Sequence, residues 1–459
     1  MRDLAGKQVL VLGLGDTGLS ALRWLRGQGA VLSVADSRTT PPNLDTLKAE
    51  FPQLTVYTGP FRPAIFNAVD LVVISPGVAL AEPEVQQALA NGIPVVGDVE
   101  LFARFRPRSS KVIAITGANG KTTVTTLVGE MCKAAGLKTV VAGNIGLPVL
   151  DALQQVQTDG EPDVYVLELS SFQLETTSRL APDAAAVLNV TEDHMDRYPG
   201  MPEYAAAKAR ILHEAGVQVL NREDPWCRDM ALSHAQLVTF GLDLPVESNA
   251  YGLLALHDQL WLAQGAHPIL HVELRIPGLH NAANALAALA LCRAIGLEWA
   301  PLQQVLRGFK GLPHRVEWVA DLNDIAFYDD SKGTNVGATC AALAGLPRKV
   351  VLIAGGDGKG QDFSPLREPV DQNARAVVLM GRDAALIEAA LQGSPVPRLH
   401  ATSMEDAVQQ AYAAAMPGDA VLLSPACASF DMFRNYAHRA EVFIAAVADL
   451  VLRHEEVQS

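Results

Sequence analysis

The sequence predicts an α/β protein of three domains: a Rossmann-like N-terminal unit, a central parallel-sheet unit of the P-loop ATPase type, and a Rossmann-like C-terminal unit. Three observations carry this expectation. At residues 111–123, KVIAITGANGKTT, an apolar β-branched run turns through glycines into a helix. At 13–18, GLGDTG, a GxGxxG turn follows the first apolar run. In the last third, four apolar runs each end in a small or polar loop that opens a helix. The basic, proline-bearing segment 104–110 and the segment 311–315 mark boundaries, giving expected units of 1–107, 108–312 and 313–459.

Composition narrows the class. A chain of 459 residues suits about three domains, and 49% apolar with 19% charged residues suffices for several cores. The net charge of −14, with no basic run, argues against nucleic acid or an anionic membrane surface as partner. No apolar run reaches membrane-spanning length, and MRDLAGKQVLVLG lacks the features of a signal peptide. Five cysteines, an odd number with no CxxC clip, point to a reducing compartment and no zinc site. The expectation is a cytoplasmic protein.

In the first unit, residues 7–12 read as a strand, followed by the glycine turn and a helix to about 28. A second strand, 30–35, ends at Asp36, and later strands fall at 54–57, 70–74 and 93–96. A GxGxxG with an acid about twenty residues on is the fingerprint of a dinucleotide site. Three readings fit it: NAD, another phosphate-bearing nucleotide with Asp36 on hydroxyls or a base edge, or glycines that merely allow tight helix–strand packing. Ser75-Pro76-Gly77 falls on the same carboxyl edge. With an ATP loop following and no hydride-transfer domain in view, a nucleotide handle on the substrate is favoured.

In the central unit, Gly117 to Gly120 let backbone N–H groups face a phosphate at a helix N-terminus, and Lys121 reaches the β/γ-phosphates. A threonine hydroxyl at 122 or 123 can ligate Mg²⁺. The loop is GxxGKTT, two residues tighter than GxxxxGK[ST]. A strand over 163–168 delivers Glu168, either a Mg²⁺ carboxylate or a cap for the next helix. A strand over 184–190 closes on NVTEDHMD, where His194 among acids is a metal or phosphate candidate. Lys208, in an Ala-rich helix at 204–212, reads as a solvated lysine. Asn281 and Asn284 share a helix face after the run-in 274–278, as purine readers or as caps.

In the last unit, expected strands at 325–328, 350–354, 376–380 and 419–423 end in Asp329-Asp330, Gly355-Gly356, Gly381 and Ser424. Lys332, Lys359 and Ser429 then converge on one carboxyl edge, an arrangement that suits an anionic ligand.

These stretches, TGANGKTT, ELSSFQLE, NVTEDHMDRY, GLHNAANALAA, GLPHR, DDSKGTN, GGDGK and SPACASFDMF, resemble in order the motifs of the Mur ligases, over essentially the whole chain. The likeness is strongest to the branch that adds D-glutamate to UDP-N-acetylmuramoyl-L-alanine. It implies ATP-dependent amide formation through an acyl phosphate in peptidoglycan synthesis, by a monomer using ATP and two Mg²⁺ ions. It assigns the first unit to UDP rather than NAD. Carried over by position, Gly117, Asn119, Gly120, Lys121, Thr122 and Thr123 hold phosphate, and Thr122 and Glu168 hold the Mg²⁺ on ATP. His194 resembles the second-metal histidine, and Lys208 the lysine that family members carbamylate, which reverses the unaided reading. Asn281 and Asn284 match the adenine side, Asp330 a ribose contact, and Arg315 the arginine near the transferred phosphate. Gly15, Thr17, Asp36, Ser37, Arg38, Gly77 and Asn144 match the UDP side, and Thr334, Lys359, Ser429 and the backbone near Tyr436 the D-glutamate pocket. The resemblance also admits another Mur ligase or a folylpolyglutamate synthetase.

Overall fold

The computed structural model describes residues 3–257, 259–271 and 278–458, and its strands form three sheets in chain order. The first contains β1 (Gln8–Leu12), β2 (Val31–Asp36), β3 (Thr55–Thr58), β4 (Leu71–Ile74) and β5 (Val95–Val96), all parallel in the order β3-β2-β1-β4-β5. Val9 and Val11 pack on one face of β1, Leu10 and Leu12 on the other. Burial on both faces explains why these strands read as unbroken apolar runs.

The central sheet holds β6 (Lys111–Thr116), β7 (Thr139–Gly143), β8 (Val164–Glu168), β9 (Ala184–Val187), β10 (Val217–Asn221), β11 (Gln236–Phe240), β12 (Ala250–Leu256), β13 (Gln259–Gln264) and β14 (His267–His271). Its order is β14-β13-β12-β11-β10-β9-β6-β8-β7. From β7 to β12 the pairings are parallel, as expected of this sheet, and β13 and β14 extend it with antiparallel hairpins. The links after β12 and β13 are too short for the crossover a parallel pair needs. β9 also stops three residues before its expected end at 190. Beyond Val187 the chain turns to the phosphate loop, where Ala118 N donates to Asn189 O at 2.9 Å. The expected lead-in at 274–277 lies outside the described residues.

The third sheet has β15 (Glu317–Leu322), β16 (Ile325–Asp329), β17 (Val350–Ala354), β18 (Ala374–Leu379), β19 (Arg398–His400) and β20 (Ala420–Leu423), ordered β15-β16-β20-β17-β18-β19. The four expected strands are present, and the half-buried edges β15, antiparallel to β16, and β19 complete the sheet. The first two sheets share one continuous core, in which the Phe102 and Tyr165 rings meet edge-on at 4.9 Å. The third sheet is covered by two separate clusters. Among the described residues no helix is long and apolar enough to cross a membrane.

Candidate active site

The site starts at the carboxyl end of β6. Residues 117–120 turn the chain into helix Lys121–Ala134, and Gly120 adopts φ +82°. A Cβ there would sit 2.4 Å from Asn284 Oδ1, so glycine meets both the left-handed backbone and the close approach of helix Leu279–Ala294. Asn189 braces the turn: its Oδ1 accepts from Asn119 N at 2.8 Å, and its Nδ2 donates to Asn119 O at 3.1 Å. Lys121 Nζ donates to Gly117 O and Ala118 O at 2.8 and 2.9 Å. Lys208 Nζ donates to the same Gly117 carbonyl at 2.9 Å. Lys208 is 2% exposed and lies 4.5 Å from the Tyr204 ring centroid, so the solvated-helix reading of this residue is wrong. Burial lowers both lysine pKa values, and for Lys208, whose pKa falls well below the ordinary amine value, Lys121 adds to the effect.

Glu168 ends β8 at 1% exposure. Its Oε1 accepts from Asn144 Nδ2 at 2.9 Å, and its buried Oε2 has no hydrogen-bond partner. Helix Ser171–Glu175 is capped by Ser170 and Gln173 in a reciprocal capping box, so Glu168 does not cap it. An orphaned, buried carboxylate oxygen beside lysines and an arginine fits a hard divalent cation. His194, at φ +59°, packs on Phe172 with ring centroids 4.7 Å apart. Burial pushes its pKa down to about 4, leaving a neutral ring with a free lone pair. Asn144, expected on the UDP side, is placed on Glu168.

Between the second and third sheets lies a cavity of about 310 Å³. Asn119, Gly120, Thr123, Asn281, Asn284, Arg315 and Asp330 line it, with Leu188, Phe240 and Leu242 as apolar wall. Helix Leu279–Ala294 has Gly278 as its N-cap residue, without a side-chain cap bond, so neither asparagine serves as cap, and Asn284 Nδ2 donates to Asn281 Oδ1 at 3.4 Å. Arg315 is flanked by His314 at φ +62° and Val316 at φ +50°, and its buried Nε has no hydrogen-bond partner. Burial raises the Asp330 pKa to about 7, although Ser424 Oγ donates to its carboxylate at 2.6 Å.

The third unit closes the site from the other side. Lys332 Nζ reaches Thr122 Oγ1 at 3.2 Å, and burial pushes its pKa down to about 8. Lys359 pairs with Asp193, and Asn335 Nδ2 donates to Asn119 Oδ1 at 3.0 Å. Tyr436 O accepts from Ser331 Oγ at 2.8 Å, and Lys332 Nζ stands 5.2 Å from the Tyr436 ring centroid. Ser429 is buried and Thr334 half-buried. Four residues missed in the sequence are central: Asn189, Asp193, Asn335 and Arg439. The first three lie inside motifs read for a neighbouring residue. Arg439 had no local signal, yet its guanidinium donates to Ser331 Oγ, Ser331 O and Cys427 O at 3.0, 2.8 and 3.1 Å, tying two edge loops together.

At the first sheet, Asp36 accepts from Leu14 N at 2.7 Å and from the Arg38 backbone and guanidinium at 2.7 to 2.9 Å. A Cβ on Gly18 would lie 1.9 Å from Gly13 O, so packing explains that glycine. A Cβ on Gly15 or Gly77 would meet nothing within 4 Å. These two, with Thr17 and exposed Ser37, leave the carboxyl edge open.

Residues 7–97 match the family description "Mur ligase MurD-like, N-terminal domain", 115–292 "Mur ligase middle domain", and 314–427 "Mur ligase, glutamate ligase domain". A UDP-N-acetylmuramoylalanine–D-glutamate ligase of Methylobacillus flagellatus is 63% identical over 451 residues, covering 98% of each chain. A relative of the same name from Thiobacillus denitrificans is 58% identical over 475 residues, covering 99% of each. Among solved structures, MurF from Acinetobacter baumannii superposes with TM-score 0.62 at 17% identity, covering 98% of this chain and 92% of that one. The UDP-N-acetylmuramate-alanine ligase of Thermotoga maritima gives 0.59 at 20%, covering 96% and 99%; these two likenesses speak to the fold alone. Three domain matches in sequence, laid in order over the three sheets, and relatives aligned end to end place the chain in the Mur ligase family.

Proposed function

We propose that this enzyme adds D-glutamate to UDP-N-acetylmuramoyl-L-alanine in peptidoglycan synthesis: ATP + UDP-N-acetylmuramoyl-L-alanine + D-glutamate → ADP + phosphate + the glutamyl-extended nucleotide. The observation that carries it is the identity of 63%, over 98% of both chains, to a ligase of that name.

The alanyl carboxylate attacks the γ-phosphorus of ATP, releasing ADP and leaving an acyl phosphate. The D-glutamate amine then attacks the acyl carbon, and collapse of the tetrahedral adduct expels phosphate. No protein nucleophile is needed. The chain aligns anions that repel and neutralises them, and alignment alone is worth ~7–11 kcal/mol of barrier. Gly117, Asn119, Gly120, Lys121, Thr122 and Thr123 would cradle the triphosphate, with Asn281 and Asn284 on adenine, Asp330 on ribose and Arg315 on the transferred phosphoryl group. Lys121 would swing from its loop carbonyls onto phosphate. Thr122 and Glu168 would hold the Mg²⁺ on ATP, which when bound neutralises phosphate charge and polarises the transferred group.

A second ion would be shared by His194 and Lys208 once that lysine is carbamylated. Burial lowers the Lys208 pKa and so favours the neutral amine that CO₂ requires; that amine would add to the carbon and lose one proton to give an anionic carbamate. Gly15, Thr17, Asp36, Ser37, Arg38 and Gly77 would bind the uridine diphosphate, with Asn144 meeting the substrate beside Glu168. Thr334, Lys359, Ser429 and Tyr436 would bind D-glutamate. The enzyme works as a monomer in the cytoplasm. Supplying candidate amino acids singly, with ATP, Mg²⁺ and UDP-N-acetylmuramoyl-L-alanine, tests the substrate: D-glutamate alone should give a lengthened product. Equal use of L-alanine, or of a glutamate acceptor of the folate type, would redirect the assignment.

A further inference from the structure

We propose that Asp193 is a positioning residue for the incoming amino acid: it holds Lys359 until D-glutamate arrives, then takes the substrate's ammonium group as a substrate carboxylate takes Lys359. This rests on the function proposed above. Asp193 is 7% exposed, at the contact between the second and third units. Its carboxylate pairs with Lys359, accepts from Asn335 Nδ2 at 3.4 Å, and lies 3.7 Å from His194 Nε2. The pairing spans 166 residues and the Lys359 side chain is 13% exposed, so both charges are largely withdrawn from water.

A carboxylate that simply captured Lys359 would strand Asp193 as a buried, unpaired charge, which is strongly unfavourable. A zwitterion avoids that loss. Its carboxylate replaces Asp193 on Lys359 while its ammonium replaces Lys359 on Asp193, so one ion pair becomes two and no charge is left alone. The exchange also fixes the amine on the loop that carries His194, where Asp193 interacts electrostatically with Lys121 and Lys208.

The decisive comparison is D-glutamate against glutarate, which keeps both carboxylates and lacks the amine, in the parent and in Asp193→Asn. The expected result separates the two ligands. KM for D-glutamate rises about tenfold or more in the variant, while the inhibition constant of glutarate falls or stays unchanged, because Lys359 is now free. KM for ATP and for the nucleotide substrate should stay within about threefold. Weakening of both ligands would make Asp193 a mere brace for Lys359, and tightening of both would make it a simple competitor; either overturns the proposal. Hydroxylamine in place of D-glutamate traps the acyl phosphate as a hydroxamate, and this reaction should persist in the variant. Its loss there would place Asp193 in the first step and overturn the assignment. Absence of any D-glutamate-dependent product from the parent would instead overturn the proposed function.

Discussion

Gly117 O accepts hydrogen bonds from Lys121 and Lys208 together, so two buried amines stand at the mouth of the phosphate loop. Removing one charge from such a place is costly. Lys121→Ala should lower kcat/KM by about 10²-fold or more, with KM for D-glutamate nearly unchanged, since hydrogen bonds to charged groups contribute ~1.5–3 kcal/mol and more when the partner charge develops in the transition state. Steady-state rates over an ATP series check this, and near-parent turnover would contradict it. Lys208 gives a second test: bicarbonate should raise activity of CO₂-stripped enzyme, and Lys208→Ala should abolish the response. Asp330 provides a pH prediction. Its folded pKa, raised by burial to about 7, exceeds the unfolded carboxylate value, so the folded state binds this proton more tightly. The group's contribution is present below about pH 4 and lost as pH rises through about 7. In ligand-free protein, Asp330→Asn should therefore gain Tm relative to the parent as pH goes from 5 to 8, by a few degrees, on the order of 1 kcal/mol or more. A difference that is flat across that range contradicts it. At this scale the sequence displayed residue types but not their partners: Lys208 looks like any helix lysine, and only the meeting of its helix with the Gly117 turn makes it buried.

The phosphate turn is the element on which the others converge. It joins β6 to helix Lys121–Ala134, is braced by Asn189 from beyond β9, and is touched by Asn284 from helix Leu279–Ala294. Gly120→Ala should accordingly raise KM for ATP roughly tenfold or more and cost about 1 kcal/mol of stability, since a Cβ there strains the backbone and strikes Asn284. Titration with ATP and a thermal scan read the two effects separately. Elements of this kind were legible because their strands are buried on both faces: β1, β6, β8 and β17 stand within two residues of their expected bounds, and β1, β6 and β17 run directly into Gly13, Gly117 and Gly355. The hairpin strands β12 to β14 and the edges β15 and β19 were not foreseen. β12 to β14 are exposed on part of their surface, carry weak periodicity, and are held by cross-strand pairing rather than local pattern. β9 shows the converse, an apolar run that continues past the sheet because Leu188 lines the cavity beside the glycine turn and Val190 packs into the core.

At the scale of the whole molecule, the first two units share a core and the third has its own, so relative motion is expected at the junction near Arg315. The links across the cleft are polar: Lys332 to Thr122, Asn335 to Asn119 and Lys359 to Asp193. Such contacts break and reform more readily than a packed apolar interface. We expect the third unit to open and close on its ligands, and small-angle scattering should show a smaller radius of gyration with nucleotide and substrate bound than without; an unchanged profile would contradict this. The overall organisation was readable from the order of motifs, whereas the register of one unit against another was not, because it is set by these few side-chain contacts between segments far apart in sequence. The central claim, that the alanyl carboxylate is phosphorylated before it meets the amine, is tested most directly with UDP-N-acetylmuramoyl-L-alanine carrying ¹⁸O in both carboxylate oxygens. Mass spectrometry of the released phosphate should find one ¹⁸O per turnover, and phosphate free of the label would contradict the account.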